Sequence, residues 1–215
     1  MKDKIKIKIC GLRRLEDIEI VNKYKPDYVG FVFTESKRQV DFKQAKILKN
    51  KLDEDILVVG VFLNSDIDDI IRLIECNVID MVQLHGDEDE EFVAKLKKLN
   101  NDIKIIKAIE IKDNDIKQNS IYDNEINIKK WEDSAVDYLL LDSGKGSGET
   151  FNWELIGDIK KPFFLAGGIN SENIKKADKL HPFAIDLSSS VEENGFKSPK
   201  KIFEIMECLN EVNYE

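Results

Sequence analysis

The sequence predicts an α/β fold, a single-domain (β/α)8 TIM barrel formed by residues 1–215. Short apolar stretches alternate with amphipathic stretches along the whole chain, which indicates a parallel sheet covered by helices. The alternation gives eight strand–helix units, whereas an open, doubly wound sheet usually stops at five or six strands. Eight units in 215 residues therefore favour a closed barrel, although about 250 residues is more typical of that fold.

The predicted strands are apolar runs that end in polar or glycine residues, and the predicted helices have apolar residues at helical spacing. The strands are expected at residues 5–9, 28–33, 57–62, 81–84, 105–109, 138–142, 163–165 and 184–187. The helices are expected at residues 15–24, 42–52, 71–76, 87–99, 122–131, a short stretch from 153, 171–177 and 199–209. Asn64 or Ser65 is expected to cap the third helix and Ser171 the seventh, and Pro199 suits a first helical turn.

Composition narrows the possible classes of protein. The chain is 42% hydrophobic, and no apolar run approaches the roughly 20 residues that a membrane helix needs. A net charge of −9 argues against nucleic acid as a partner. The three cysteines are far apart and there are two histidines, which is a poor set of ligands for a structural metal. We expect a reduced, cytoplasmic protein without a structural metal, and the first residues to form a strand and not a signal peptide.

The carboxyl ends of the predicted strands carry the chemistry, because the loops after the strands build the active site of such a barrel. The sixth strand ends in Asp142 and is followed by glycines at 144, 146 and 148. Glycine or serine clusters also follow the seventh strand, at Gly167 and Gly168, and the eighth, at Ser188 and Ser189. Backbone N–H groups in such loops bind phosphate, and we expect an anion site there.

Cys10 and Asp142 are the best candidates for a general base and a general acid at strand ends. A thiol becomes a base when a nearby cation lowers its pKa from about 8.5, and Lys8 lies on the same face of the first strand. The alternative is that Cys10 is a small core residue, as we expect for Cys76 and Cys208. Arg38 is either surface charge or a bidentate partner for a carboxylate.

His85 is either a ligand contact or a structural histidine. A resemblance to a known family bears on this choice. The segments that carry it are Lys8-Ile-Cys-Gly11, Gly30-Phe-Val-Phe33, Ser36-Lys-Arg-Gln-Val40, Val59-Gly-Val-Phe62, Val82-Gln-Leu-His-Gly86, Leu141-Asp142, Gly146-Ser-Gly148, Phe151-Asn-Trp153, Leu165-Ala-Gly-Gly168 and Ile185-Asp-Leu-Ser-Ser189-Ser-Val-Glu192. Together, and in this order, they resemble the phosphoribosylanthranilate isomerases of tryptophan biosynthesis.

The resemblance implies a cofactor-free Amadori rearrangement of N-(5'-phosphoribosyl)anthranilate to 1-(2-carboxyphenylamino)-1-deoxyribulose 5-phosphate. It implies that Asp142 is the general acid that opens the ribose ring and that Cys10 is the base that removes the proton from C2'. Arg38 matches the residue that holds the anthranilate carboxylate. The remaining substrate-binding positions are Gln83 and His85, with Gly167, Gly168, Ser188 and Ser189 at the phosphate.

The chain departs from the family pattern at a few positions near the site. Lys37 replaces a proline, which is expected to loosen the loop that carries Arg38. Arg14 replaces a threonine, and Ser190 replaces a glycine after the two serines. None of these changes removes a candidate catalytic residue. The resemblance implies a small-molecule substrate, and we expect either a monomer or a homodimer.

Two other functions remain open from the sequence. The first is a phosphate-binding barrel of the histidine-pathway sugar isomerase type, which uses two strand-end aspartates; Cys10 replaces the first of them. The second is a receiver-like signalling module with an open sheet and Asp142 as phosphoacceptor. That module needs an acidic cluster for magnesium, and the first strand here ends in Cys10-Gly11 without one.

Overall fold

Eight parallel strands close into a barrel in the computed structural model, which describes residues 5–112, 118–143 and 150–213. Each strand pairs with the next along the chain, and the last pairs with the first, so that Lys8 lies opposite Asp186. The strands are β1 Lys6–Cys10, β2 Tyr28–Val32, β3 Leu57–Phe62, β4 Met81–Leu84, β5 Lys104–Glu110, β6 Tyr138–Asp142, β7 Phe163–Leu165 and β8 Ala184–Leu187. The predicted (β/α)8 barrel is confirmed.

Helices connect the strands and cover the barrel. They are α1 Leu15–Tyr24, α2 Phe42–Lys49, α3 Ile67–Glu75, α4 Glu90–Leu99, α5 Gln118–Glu132, α6 Ile174–Asp178 and α7 Pro199–Asn213, with short 3-10 helices at Trp153–Ile156 and Ser189–Val191. After β8 the chain also forms a small antiparallel hairpin of β9 Glu192–Glu193 and β10 Phe196–Lys197, which the sequence did not predict.

Two helix starts differ from the prediction. Asp66, not Asn64 or Ser65, caps α3, because its side chain accepts a hydrogen bond from the N–H of Asp68 at 3.0 Å. Asn64 has a left-handed φ of +53° and its side chain accepts from the N–H of Asp87 in the next loop at 2.7 Å. The seventh predicted helix corresponds to α6. Ser171 does not cap it, because α6 starts later, after Asn173.

The core has two parts because the side chains of each strand alternate between the two faces of the barrel wall. One face packs against the helices, with fully buried residues such as Ile9 and Leu141. The other fills the barrel interior, where Tyr28 and Phe164 pack edge to face with ring centroids 5.6 Å apart. These rings close the amino end of the interior, so the inward residues at the carboxyl end are left to line a site.

The cysteines outside β1 differ from the expectation of two core residues. Cys76 follows the last turn of α3 and is exposed, so that prediction is wrong for Cys76. Cys208 is half-buried and packs against the core from α7. Among the described residues, no helix is both long and apolar enough to cross a membrane.

Candidate active site

One cavity of about 230 Å3 opens at the carboxyl end of the barrel strands. All nine residues predicted for the site line it: Cys10, Arg38, Gln83, His85, Asp142, Gly167, Gly168, Ser188 and Ser189. They come from six of the eight strands or from the loops that follow them. Closure of the barrel therefore brings together residues that are spread over most of the chain.

Cys10 ends β1 and points into the barrel beside a glycine of the next strand. A Cβ atom added at Gly30, its register partner, would come within 2.6 Å of the Cys10 sulfur. The thiol is 9% exposed and lines the cavity. Gly30 thus leaves the space that the sulfur occupies. Cys10 is a small buried residue packed with Val32 and Val61, and it also lines the cavity, so its burial fits both interpretations.

Lys8 lies one layer deeper in the barrel than Cys10 and is fully buried. Its Nζ is 2.7 Å from Asp186 Oδ2 of β8, so the pair joins the first and last strands. Burial opposes the charge on Lys8, but Asp186 and Cys10 outweigh it and keep the pKa of Lys8 above its ordinary value. Lys8 is therefore a cation beneath the thiol, as the sequence predicted.

The net effect on the thiol differs from the expectation. Burial is the largest influence and raises the pKa of Cys10, and Asp186 adds to it, while Lys8 and Lys197 act in the opposite direction. The two cations do not overcome the effect of burial on the pKa of Cys10. The pKa of Cys10 therefore lies above its ordinary value, although we expected Lys8 to lower it.

Asp142 ends β6 and faces His85 across the cavity mouth. The distance from His85 Nε2 to Asp142 Oδ2 is 3.8 Å. On its other side the ring is held by Gln83, whose Nε2 donates to His85 Nδ1 at 3.1 Å. Gln83 and His85 thus form a short polar row that ends at the candidate acid.

The loops after β7 and β8 form the side of the cavity opposite Gln83 and His85. Gly167 and Gly168 have left-handed φ values of +86° and +62°, which favour glycine. A Cβ atom at Gly167 would also lie 2.8 Å from Ser143 Oγ, so this position requires a residue without a side chain. The glycine cluster at 144, 146 and 148, predicted as a third part of the anion site, lies outside the described residues.

Arg38 lines the cavity but is already paired. Its Nε and Nη2 donate to the two carboxylate oxygens of Glu192 at 2.7 and 2.8 Å. Lys197 of β10 donates to Glu192 Oε1 at 2.8 Å. The loop that carries Arg38 is tied down despite Lys37, because Arg13 Nη1 donates to the Lys37 carbonyl at 2.5 Å. This hydrogen bond restrains the loop, which counters the loosening expected from Lys37 in place of proline.

Three residues of the site were missed in the sequence. Asp186 lines the cavity floor, and its inward position could have been inferred from the alternation along β8 with Ser188 two residues later. Glu192 and Lys197 lie on a hairpin that no hydrophobic pattern marks. Among the described residues, no group of three or more His, Cys, Asp or Glu side chains could hold a metal ion.

A larger groove of about 710 Å3 lies on the outer wall, between α5 and residues 156–162. It contains none of the predicted site residues, and two of its carboxylates are used in local structure. Glu132 accepts from the N–H of Lys161 at 3.2 Å, and Asp137 pairs with Lys97 at 2.7 Å. We therefore assign the chemistry to the smaller cavity at the barrel mouth.

A closed barrel with a thiol, a carboxylate and glycine–serine loops at its carboxyl mouth defines the class of (β/α)8-barrel enzymes. The model of the N-(5'-phosphoribosyl)anthranilate (PRA) isomerase family matches residues 7–208. The chain belongs to this family, whose members are aldose–ketose isomerases of tryptophan biosynthesis. The match does not favour the histidine-pathway alternative.

Individual relatives agree with this assignment over nearly their full length. The N-(5'-phosphoribosyl)anthranilate isomerase of Endomicrobium trichonymphae is 44% identical and covers 96% of this chain and 99% of its own. That of Clostridium acetobutylicum is also 44% identical and covers 92% of this chain and 94% of its own length. The crystal structure of the phosphoribosyl anthranilate isomerase from Thermus thermophilus has a TM-score of 0.82 at 29% identity, covering 97% of this chain and all of its own.

Proposed function

We propose that this chain rearranges N-(5'-phosphoribosyl)anthranilate to 1-(2-carboxyphenylamino)-1-deoxyribulose 5-phosphate by acid–base catalysis, with Asp142 as the acid and Cys10 as the base. The observation that carries the proposal is that both side chains line one cavity together with Arg38 and the loops after β7 and β8. The substrate has two charged ends and a reacting sugar between them. The cavity offers a matching cation, anion loops and a central acid–base pair.

The first step is ring opening. The Asp142 carboxyl group donates a proton to the ribose ring oxygen while the C1'–O bond breaks, and the nitrogen lone pair forms the C=N bond of a protonated Schiff base. Asp142 is left as a carboxylate. The neighbouring His85 Nε2, 3.8 Å away, is close enough to stabilise that negative charge.

The second step is proton removal from C2'. The Cys10 thiolate takes this proton, and the electrons of the C–H bond move into the C1'–C2' bond while the C=N electrons return to nitrogen. The enolamine that results tautomerises to the ketone product. Lys8 beneath the sulfur supplies positive charge that favours the thiolate over the thiol.

Binding is assigned to the rim of the cavity. Arg38 takes the anthranilate carboxylate through charge-assisted hydrogen bonds. The backbone of the loops that carry Gly167, Gly168, Ser188 and Ser189 takes the phosphate. Gln83 and His85 contact the sugar from the opposite wall of the cavity, beside Asp142. A structure of a relative solved with reduced 1-(o-carboxyphenylamino)-1-deoxyribulose 5-phosphate supports a ligand of this size and chemistry; it is 29% identical, covers 96% of this chain and 99% of its own, and has a TM-score of 0.78.

We further propose that residues 1–215 act as one domain in the cytoplasm, without a cofactor or a nucleic-acid partner, as a monomer or a homodimer. The net charge of −9 supports the absence of nucleic acid. A structure of the Thermotoga maritima relative is of monomers generated from a dimeric isomerase; it is 31% identical, has a TM-score of 0.79 and covers 96% of this chain and 99% of its own. Sedimentation of the purified protein distinguishes the two oligomeric states.

Loss of anthranilate-adduct fluorescence on mixing purified protein with the phosphoribosyl substrate tests the proposed activity. We expect a saturable decrease that depends on protein concentration and proceeds without added metal or cofactor. The matched control is the same mixture with Asp142→Asn protein. Wild-type protein that is folded and leaves the fluorescence unchanged would contradict the proposed function.

A further inference from the structure

The carboxylate of Glu192 is built into the site beside Arg38. Its side chain is 8% exposed, and it accepts from Arg38 through both oxygens and from Lys197, whose side chain is 1% exposed. Lys197 also donates to the carbonyl of Ser188 in the loop after β8, at 3.0 Å. Glu192 therefore connects the candidate carboxylate-binding residue to one of the candidate phosphate loops.

Glu192 uses only one edge of the guanidinium group. The bidentate contact involves Nε and Nη2. A guanidinium has five N–H donors in a planar fork, and the end formed by Nη1 and the outer hydrogen of Nη2 is a second edge that fits a carboxylate. The Arg38 side chain is 28% exposed and lines the cavity. One edge of Arg38 can thus hold Glu192 while the other holds a ligand.

The charges favour a carboxylate that stays in place when ligand binds. Burial opposes ionisation of Glu192, but hydrogen bonds and charge from Arg38 and Lys197 outweigh it and lower its pKa to about 2. Glu192 is therefore ionised at any pH at which the protein works. Moving it off Arg38 would leave a mostly buried anion with Lys197 as its cation, which is unfavourable.

We propose that Glu192 is a positioning residue: it holds the guanidinium of Arg38 so that the second edge faces the cavity and receives the carboxylate of the ligand. This inference rests on the proposed function, since it takes the anthranilate carboxylate as the ligand group. Arg38 would then bind two carboxylates at once, one from the protein and one from the substrate. Glu192 contributes orientation and does not touch the reacting atoms.

A competing arrangement predicts the opposite sign. If Glu192 only occupied the place of the ligand carboxylate, the substrate would have to displace it, and removing its charge would tighten substrate binding. If Glu192 positions Arg38, removing its charge frees the guanidinium to rotate and weakens binding. The direction of the change in KM separates the two.

The experiment compares Glu192→Gln with Glu193→Gln. Both variants remove one negative charge from the same short strand, but Glu193 is exposed and interacts with Ser198 instead of Arg38. We expect Glu192→Gln to raise KM about tenfold with kcat within about threefold, because orientation of a charge-assisted pair is lost and the acid–base groups remain. Glu193→Gln should match the wild type in both constants. An unchanged or lowered KM for Glu192→Gln, measured beside an active wild type, would overturn the inference and leave the proposed function standing.

A ligand pair gives a second readout that general damage to the site would not produce. Affinity is measured for the reduced product analogue with and without its ring carboxylate. Glu192→Gln should weaken binding of the carboxylate form about tenfold and change the form without it little. Equal weakening of both analogues would show a merely structural role.

Glu192→Gln leaves buried Lys197 without its carboxylate and can therefore fail to fold. In that case the double variant Glu192→Gln with Lys197→Met removes the pair as a neutral unit. The folded double variant, checked by circular dichroism, should show the same loss of carboxylate discrimination. If it discriminates between the analogues as the wild type does, Glu192 does not position Arg38. A wild type without turnover would instead count against the proposed function.

Discussion

At the scale of the single residue, Cys10 shows how burial and charge compete in one site. The thiol lies above Lys8 and near Lys197, yet burial has the larger effect and raises its pKa. Most Cys10 side chains are therefore protonated at neutral pH. A base must be deprotonated to act, so the active fraction increases as pH rises toward that pKa.

This competition predicts how the reactivity of the thiol depends on pH. With the pKa of Cys10 raised above the ordinary value of about 8.5, the rate at which iodoacetamide modifies Cys10 should keep increasing between about pH 7 and pH 9, because only the thiolate reacts. The measurement is the modification rate of the Cys10 peptide at half-unit steps of pH, with circular dichroism to confirm that the fold is unchanged. A rate that is already independent of pH from about pH 6.5 upward would contradict a raised pKa of Cys10.

Arg38 provides the second residue-scale prediction. Arg38→Ala removes the charge-assisted pair with the substrate carboxylate, so KM should rise by about ten- to a hundredfold while kcat falls much less. Arg38→Lys keeps the charge but loses the bidentate fork, so its KM should lie between those of the wild type and Arg38→Ala. Steady-state kinetics on the three proteins provides the comparison. A KM for Arg38→Ala equal to that of the wild type would place carboxylate binding elsewhere.

Site residues could be predicted from the sequence where they end a strand. Cys10 and Asp142 could be predicted because apolar runs stop at them, and parallel strands end at one edge of the sheet. Glu192 could not be predicted, because it pairs with Arg38 across 154 residues and lies on a two-residue strand without periodicity. The pKa of Cys10 was also beyond the sequence, since it depends on how deeply the thiol is buried.

At the scale of elements, Lys8 and Asp186 fasten β1 to β8. The residues lie opposite each other in the register of these strands, and their side chains meet at 2.7 Å inside the barrel. Removing one partner from a buried pair leaves an uncompensated charge, which costs about 3–5 kcal/mol. The pair therefore secures the seam at which the barrel closes.

Lys8→Met should accordingly lower the free energy of unfolding by about 3–5 kcal/mol, because Asp186 loses its cation. Lys6→Met is the matched control on the same strand; Lys6 interacts with the hydroxyl of Tyr28 at 3.4 Å and pairs with no buried carboxylate among the described residues. Its effect should stay within about 1 kcal/mol. Urea unfolding of the wild type and both variants gives the change in the free energy of unfolding for each substitution. Equal stability of the two variants would show that the seam does not depend on the pair.

Element boundaries were predicted best for strands and least well for helix starts. Strand β6 was predicted at its observed bounds, because a buried apolar run has an unambiguous end at Asp142. The start of α3 was misplaced because three polar residues in succession, Asn64, Ser65 and Asp66, could each serve as a cap. Only the conformation of the loop decides among them, and Asn64 is recruited by the neighbouring loop at Asp87.

At the scale of the whole molecule, the count of strand–helix units was enough to predict closure. Eight parallel strands satisfy all edges only when the last pairs with the first, which the pairing of β1 with β8 shows. Closure then explains the site, because it is what brings Cys10 of β1 and Asp142 of β6 to the same cavity. Glu192 is added to the site by the hairpin after β8, which is not one of the eight strand–helix units.

The most direct test of the central claim is kcat for Cys10→Ala and Asp142→Asn, with Cys76→Ala as the control for removal of an exposed thiol. Acid–base catalysis by the two residues predicts that kcat falls by about 10²–10⁴-fold in each, while KM changes little because Arg38 and the phosphate loops are intact. Cys76→Ala should retain the wild-type kcat. A near-wild-type kcat for folded Cys10→Ala would contradict the account, because the proton at C2' would then have to leave to another base.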